Sequence, residues 1–353
     1  MSAVKKLKEL TFGQIDTAPT SSEGVDAKGD NFTINSSTIE SDSIAELAIG
    51  KNLENSVYVE NGGSFEVVID TKENGSVSFE KDVFSSITKE GLDADGNVTT
   101  VPGDIIAWRY TGDMTANLPS DSYTYEVVRD LADTGAGVVF QHRGAQATDW
   151  KNSGNTERIE TSLQYLSGSV SVNPDDVLGT PVYNTGGLTP RLINFIVTHD
   201  GTDYSICAES WEVAFSHNAT QRVNFCADGE DYTTPKAVPV TRPSGYAGGS
   251  ASISGLDFTS DGLALLQAMR NNDIMGLNVV NKGSVIAGSN GNAVRHSRQI
   301  LAPVAKLVSG EPSIPSPGAI TQQDLAWEIG YSPEAANTYL VRVVIVTDQD
   351  IVV

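Results

Sequence analysis

Residues 210–225 read SWEVAFSHNATQRVNF, and 146 positions earlier residues 64–79 read SFEVVIDTKENGSVSF. Aligned at that offset, 58–82 and 204–228 need no gap and agree at seven of 25 positions: Tyr58/Tyr204, Ser64/Ser210, Glu66/Glu212, Val67/Val213, Val77/Val223, Phe79/Phe225 and Asp82/Asp228. The spacing of apolar residues says more than the identities. Phe65, Val67 and Ile69 alternate with Glu66, Val68 and Asp70, as Trp211, Val213 and Phe215 alternate with Glu212, Ala214 and Ser216. Period two places each apolar set on one face of a strand. A hairpin pairing Ile69 with Val77 and Val67 with Phe79 keeps the apolar residues together. So does one pairing Phe215 with Val223 and Val213 with Phe225. A one-residue slip would turn half of them to water. Asn74-Gly75 favours a tight turn in the first copy, and in the second the turn makes His217 a solvated residue.

The same register separates the two cysteines. Cys207 shares the parity of Trp211, whereas Cys226 opposes Val223 and Phe225, so a disulfide between Cys207 and Cys226 is disfavoured. Two free thiols suit a reducing cytoplasm.

Downstream, residues 119–144 and 259–283 each start from a Ser-Asp pair, Ser120-Asp121 and Ser260-Asp261, a helix N-cap with a negative residue in the first turn. Thr124, Val127, Val128 and Leu131, and then Leu263, Leu266 and Met269 with Leu265 beside them, follow at helical spacing. Helices are therefore expected near 121–133 and 261–272, each leading through Gly137 or Gly276 into a strand. The expected fold is mostly β: two tandem β-sandwich or barrel-like domains, each with one flanking α-helix, plus an extended N-terminal arm. Residues 1–50 form the arm and its loop, with 16–43 poor in large apolar residues. The first domain covers 51–171, a Pro- and Gly-rich linker 172–190, and the second domain 191–353. Tyr339 to Val346, β-branched and apolar, reads as a closing strand.

The chain has 353 residues, 39% of them hydrophobic and 19% charged, with a formal charge of −22 and a pI near 4.4. That balance opposes nucleic-acid binding by phosphate neutralisation and favours repulsion of a polyanion. No run approaches the roughly 18 apolar residues of a membrane helix. The start, MSAVKKLKELTFGQ, lacks an apolar h-region, so secretion by a signal peptide is not expected. Asn31, Asn35, Asn74, Asn97 and Asn218 begin Asn-x-Ser/Thr triplets that chance explains in a Ser/Thr-rich chain.

Chemistry is hard to find. His142, His199, His217 and His296 lack the spacing of a helical zinc site, and no Cys-x-x-Cys occurs. Asp93–Asn97, DADGN, resembles the start of a calcium loop, but its glycine comes early and Asp104 stands where a bidentate Glu is needed; a turn accounts for it. Gly135-Ala136-Gly137 has the wrong context for a dinucleotide fingerprint. Arg295–Arg298, RHSR, is too short for a nucleic-acid patch. No Gly-x-Ser-x-Gly elbow or phosphate loop exists. The sequence therefore offers no catalytic, cofactor-binding or metal-ligating residues, and no enzyme is expected.

On the two hairpin segments, the two expected helices and the polar stretch before residue 50, the chain resembles a phage major tail tube protein of the siphophage type with a duplicated tube domain. The resemblance implies a structural virion protein, made in the host cytoplasm, whose sheets join between neighbours into rings, here of three chains. The rings stack and contact other tail proteins. DNA passes through the lumen without specific binding, and no cofactor or membrane is involved. Acidic residues of outward parity, Glu66, Asp70, Glu80 and Glu212, would face the lumen. A decoration or baseplate-ring protein is the nearest alternative. A carbohydrate-binding, adhesin-like β-protein would need exposed aromatics, and Trp108, Trp150, Trp211 and Trp327 are scattered.

Overall fold

The computed structural model describes residues 9–14, 23–25, 32–38, 64–71, 83–84, 86–94, 97–99, 105–113, 123–134, 136–167, 169–172, 193–226, 236–243, 246–287, 293–313, 320–331 and 339–348. The strands are β1 (Glu9–Gln14), β2 (Glu23–Val25), β3 (Phe32–Thr38), β4 (Ser64–Asp70), β5 (Ser86–Leu92), β6 (Val98–Thr99), β7 (Ile105–Asp113), β8 (Tyr123–Asp130), β9 (Gly137–Asn155), β10 (Ile159–Leu166) and β11 (Ser169–Val172). There follow β12 (Ile193–His199), β13 (Thr202–Ile206), β14 (Ser210–Ser216), β15 (Ala219–Cys226), β16 (Lys236–Pro243), β17 (Gly248–Asp257), helix α1 (Ser260–Asn271), β18 (Met275–Ala287), β19 (Val294–Ser309), β20 (Gln322–Ile329) and β21 (Tyr339–Thr347). The protein is mostly β, with nineteen strands linked into one antiparallel network and β15–β16 forming a separate ribbon.

One pairing scheme occurs twice. In the first half β1 pairs with β2 and β8, β8 with β9, β9 with β10 and β11, β10 with β4, and β4 with β3. In the second half β12 pairs with β13 and β18, β18 with β19, β19 with β20 and β21, β20 with β17, and β17 with β14. The irregularities recur as well. The β9–β10 ladder skips Thr148 opposite Gln164/Tyr165, and the β19–β20 ladder skips Val308 opposite Ala326/Trp327. Two ladders bind the halves: β9 to β14, and β7 to β21. Tyr339–Thr347 thus lies between β19 and β7, with both edges paired, instead of closing a sheet.

These pairings correct several expectations. Both edges of β4 are occupied, Val67 facing Leu163 and Ile34, and Ile69 facing Thr161 and Phe32, so no place remains for Val77 and Phe79. Those two residues lie outside the described ones. β14 is likewise filled on both edges, by β9 and β17, and β15 leaves the sheet so that Val223 faces Pro239 and Phe225 faces Ala237. The repeat at 64–70 and 210–216 does mark two strands. However, β4, β10, β9 and β14 alternate in direction, so the two run oppositely in one sheet. The correspondence by pairing is instead β3 with β14 and β4 with β17.

The polar N-terminal stretch is no arm in its described parts, because β1 to β3 are paired into the network. The expected helix near 121–133 is strand β8 between β1 and β9. Its Tyr, Thr and Val residues favour a pleated surface, and two waiting ladders outweigh the helical spacing. The second helix forms as expected, one residue early at its cap: Thr259 accepts from the Gly262 N–H, and Asn272 closes the other end at φ 69°. Gly262, Leu265, Leu266 and Ala268 are its buried residues, Met269 is partly buried, and Leu263 is exposed. Cys207 is a free, exposed thiol: it follows the buried Ile206 that ends β13, and the parity read back from Trp211 belongs to a different strand, β14. Of the expected linker 172–190, Val172 ends β11 and the remaining residues lie outside the described ones.

The core fills the inner faces of this network. Phe84 meets Trp150 edge-on at 5.4 Å and stacks on Phe215 at 5.6 Å, sealing the β9–β14 junction. Arg298 of β19, 1% exposed, lies 5.6 Å over the Trp150 ring, and burial pushes its guanidinium down to about 9. Gly154 is required where Trp211 crosses it: a Cβ there would come within 2.5 Å of the indole nitrogen. Gly154→Ala should therefore cost about 1–3 kcal/mol in chemical denaturation, whereas Gly248→Ala, with nothing nearer than 3.8 Å, should change stability by less than ~0.5 kcal/mol. Deleting residues 1–45 bares the edges of β4 and β8 and should abolish the soluble folded chain in circular dichroism and gel filtration, instead of only weakening association.

Candidate functional site

Strand alternation separates a buried face from a wet one. Trp150, Asn152 and Gly154 of β9, Trp211, Val213 and Phe215 of β14, Ala251 and Ile253 of β17, and Leu325, Trp327 and Ile329 of β20 are buried. Between them, Asp149, Lys151, Ser153, Glu212, Ala214, Ser250, Ser252, Asp324 and Glu328 keep contact with solvent. Register draws the residues of this face, with Ser162 buried at one end, into rows that cross from one half to the other. Glu160, Ser153, Glu212, Ser252 and Ala326 form one row; Ser162, Lys151, Ala214, Ser250 and Glu328 form the next. The result is a continuous polar surface of short side chains, with carboxylates Glu66, Asp149, Glu160, Glu212, Asp324 and Glu328 against Lys151, Arg158 and Lys306.

Two of the four acidic residues singled out from sequence, Glu66 and Glu212, fall on this surface. Glu66 is half-buried in register with Gln164 and accepts the Ser162 hydroxyl at 2.5 Å. Asp70 is in register with Glu160, hence one strand beyond the first row. Glu212 meets Lys151 across the β9–β14 junction at 3.4 Å, with side chains 42% and 41% exposed. A pair that open to water is worth little, so Glu212 keeps most of its hydration. Glu80 lies outside the described residues. Sequence reasoning missed Lys151, Arg158 and Glu160, of which the last two form an ion pair at 3.0 Å. The alternation of DWKNSGN at 149–155 carried that signal.

Under this surface Asn152, Thr71 and Thr161 form a buried hydrogen-bonded group. The Asn152 amide donates to Thr71 and Thr161 Oγ1 and to the Glu160 carbonyl at 3.0, 3.1 and 2.8 Å. The Asp93–Asn97 segment behaves as a turn, with the Asn97 N–H on Asp93 Oδ1 at 2.8 Å. Among the described residues no group of three His, Cys, Asp or Glu side chains could hold a metal ion. Trp150, Trp211 and Trp327 are 1%, 6% and 1% exposed, so none of them offers a stacking platform to a sugar.

His217 is buried, not solvated. Its Nε2–H donates to the Val83 carbonyl at 2.5 Å, and its ring meets Phe215 edge-on at 4.9 Å. Asn218, at φ 50°, turns the chain after it, which lets β15 leave the sheet. Burial lowers the His217 pKa below its ordinary 6.5, opposed by the Val83 bond and by Asp149. Only the unfolded chain then takes up the proton near pH 6.5, so this residue withdraws stability as pH falls from there toward its folded value. His217→Gln should lose stability at pH 8 and show a shallower decline between pH 7 and 5 than the unaltered protein, measured by urea denaturation.

The sequence matches no family model and no curated protein.

Proposed function

We propose that this chain is a structural virion protein that assembles into stacked rings as a phage tail tube, with the polar sheet face turned to the lumen. One observation carries the reading: a single antiparallel sheet runs through both halves and presents one unbroken, serine-rich, net acidic face, while its other face is sealed by the core. Short hydroxyl and carboxylate side chains keep such a wall hydrated, and their charge repels phosphate, so DNA slides past without displacing counterions. Rings of three chains, other tail proteins and passing DNA are the partners this reading assigns, and the virion tail is its location.

Purified protein should give a trimer by native mass spectrometry, and annuli that stack into hollow tubes by negative-stain microscopy. A compact monomer at all concentrations overturns the reading. Virions carrying Glu66→Lys, Asp70→Lys and Glu212→Lys should still assemble yet eject DNA more slowly, with the delay shrinking as salt rises. Ejection at the ordinary rate in low salt would remove the face from the lumen.

A further inference from the structure

The repeated pairing scheme leaves two contacts between the halves made only once, β9–β14 and β7–β21, and we infer that the missing counterpart of the first is made between two copies of the chain. Within the chain, β14 docks along residues 149–155 of β9, on the edge away from β10. By pairing, the counterpart of β9 is β19 and its continuation, since Pro312 bridges Gln323 and the Ser313 N–H bonds the Gln322 carbonyl at 2.8 Å. β18 covers the outer edge of β19 only as far as Ala305. Beyond it, 306–313 carry no further strand among the described residues. The counterpart of β14 is β3, which pairs with β4 and, among the described residues, with nothing on its other edge.

Two strand edges without a ladder, placed where the internal junction places a made one, define the interface. β3 of one copy docks antiparallel on residues 309–313 of the next. The direction agrees: β3 to β9 and β14 to the end of β19 each span four alternating strands, so the docked β3 would meet its edge as β14 meets β9. The register follows too. Thr38 faces Ser64 as Ala214 faces Ser250, and Ala214 lies opposite Lys151. Carried across, Thr38 of one copy lies opposite Glu311 of the next. The Arg270–Glu311 ion pair at this edge, with side chains 65% and 66% exposed, is too solvated to hold the edge shut. Pro312, which has no N–H to donate, falls opposite Ser37, where the β3 ladder already shifts. An arbitrary flat strand would lose a bond there, so the edge favours β3 over random partners.

The interface is heterologous, one surface on each side, so it propagates and then closes. It rests on the ring reading for closure into a ring, but not for the pairing itself. The test mixes Thr38→Cys with Glu311→Cys, each in a Cys207→Ser, Cys226→Ser background, under mild oxidation. A cross-linked dimer is expected from the mixture and none from either variant alone, because opposed strand residues lie within disulfide reach. As a second measurement, amides of 32–38 and 306–313 in the unaltered protein should exchange at least ~10-fold more slowly in assembled than in dissociated protein. Assembly without the cross-link and without this protection overturns the junction while leaving the tube reading standing. Cross-linking of Thr38→Cys alone replaces it with a symmetric β3–β3 contact. Cross-linked chains that never form tubes keep the junction and sink the tube.

Discussion

The ladder between β9 and β14 is the constraint on which the rest depends. It makes the two halves one sheet, and it fixes which face of both halves is dry. Trp150 and Phe215 are directly opposed across it, Phe84 caps them, and Arg298 reaches over Trp150 from the second half. Trp211 then passes so close to Gly154 that the junction admits no side chain at that point. An interior packed this closely does not slide, so the register of one half is transmitted to the other.

A polar row can cross that junction only because the apolar row beneath it crosses too. Asn152, Val213, Ala251 and Trp327 are buried in line, while Ser153, Glu212, Ser252 and Ala326 stand in line above them. The carboxylates keep contact with water, which spares them the several kcal/mol each that desolvation in the core would cost. Part of the chain's acidic excess is thus displayed on an ordered wall, where six carboxylates face three basic side chains. That display is the feature on which the proposed conduit for a polyanion rests.

Open strand edges are hazards unless something completes them. Most edges here are consumed internally, including those of β4 and β14 that a local hairpin would otherwise have used. Among the described residues, the outer edge of β3 and the end of β19 sit where the repeated scheme would place a second β9–β14 junction, with Pro312 at one of them. An edge left available in this patterned way favours one partner over many.

Much was legible in the residues alone. Period two at 64–70 and 210–216 determined two strands, and at 210–216 the buried parity as well, because side-chain direction along a strand is a local property. Thr259 to Asn272 likewise carried their own cap, first-turn acid and apolar stripe, so that helix formed where expected. Glu66 and Glu212 were recognisable as outward-facing for the same reason. Partner choice was not legible, because it depends on competition among edges distant in sequence. β15 matched β14 in pattern yet lost it to β9 and β17, and with that loss His217 went from turn to core. The Thr124–Leu131 spacing was compatible with a helix until β1 and β9 supplied ladders on both sides. Alternation is written residue by residue, whereas the neighbour that completes a strand is decided only when the whole chain has been placed.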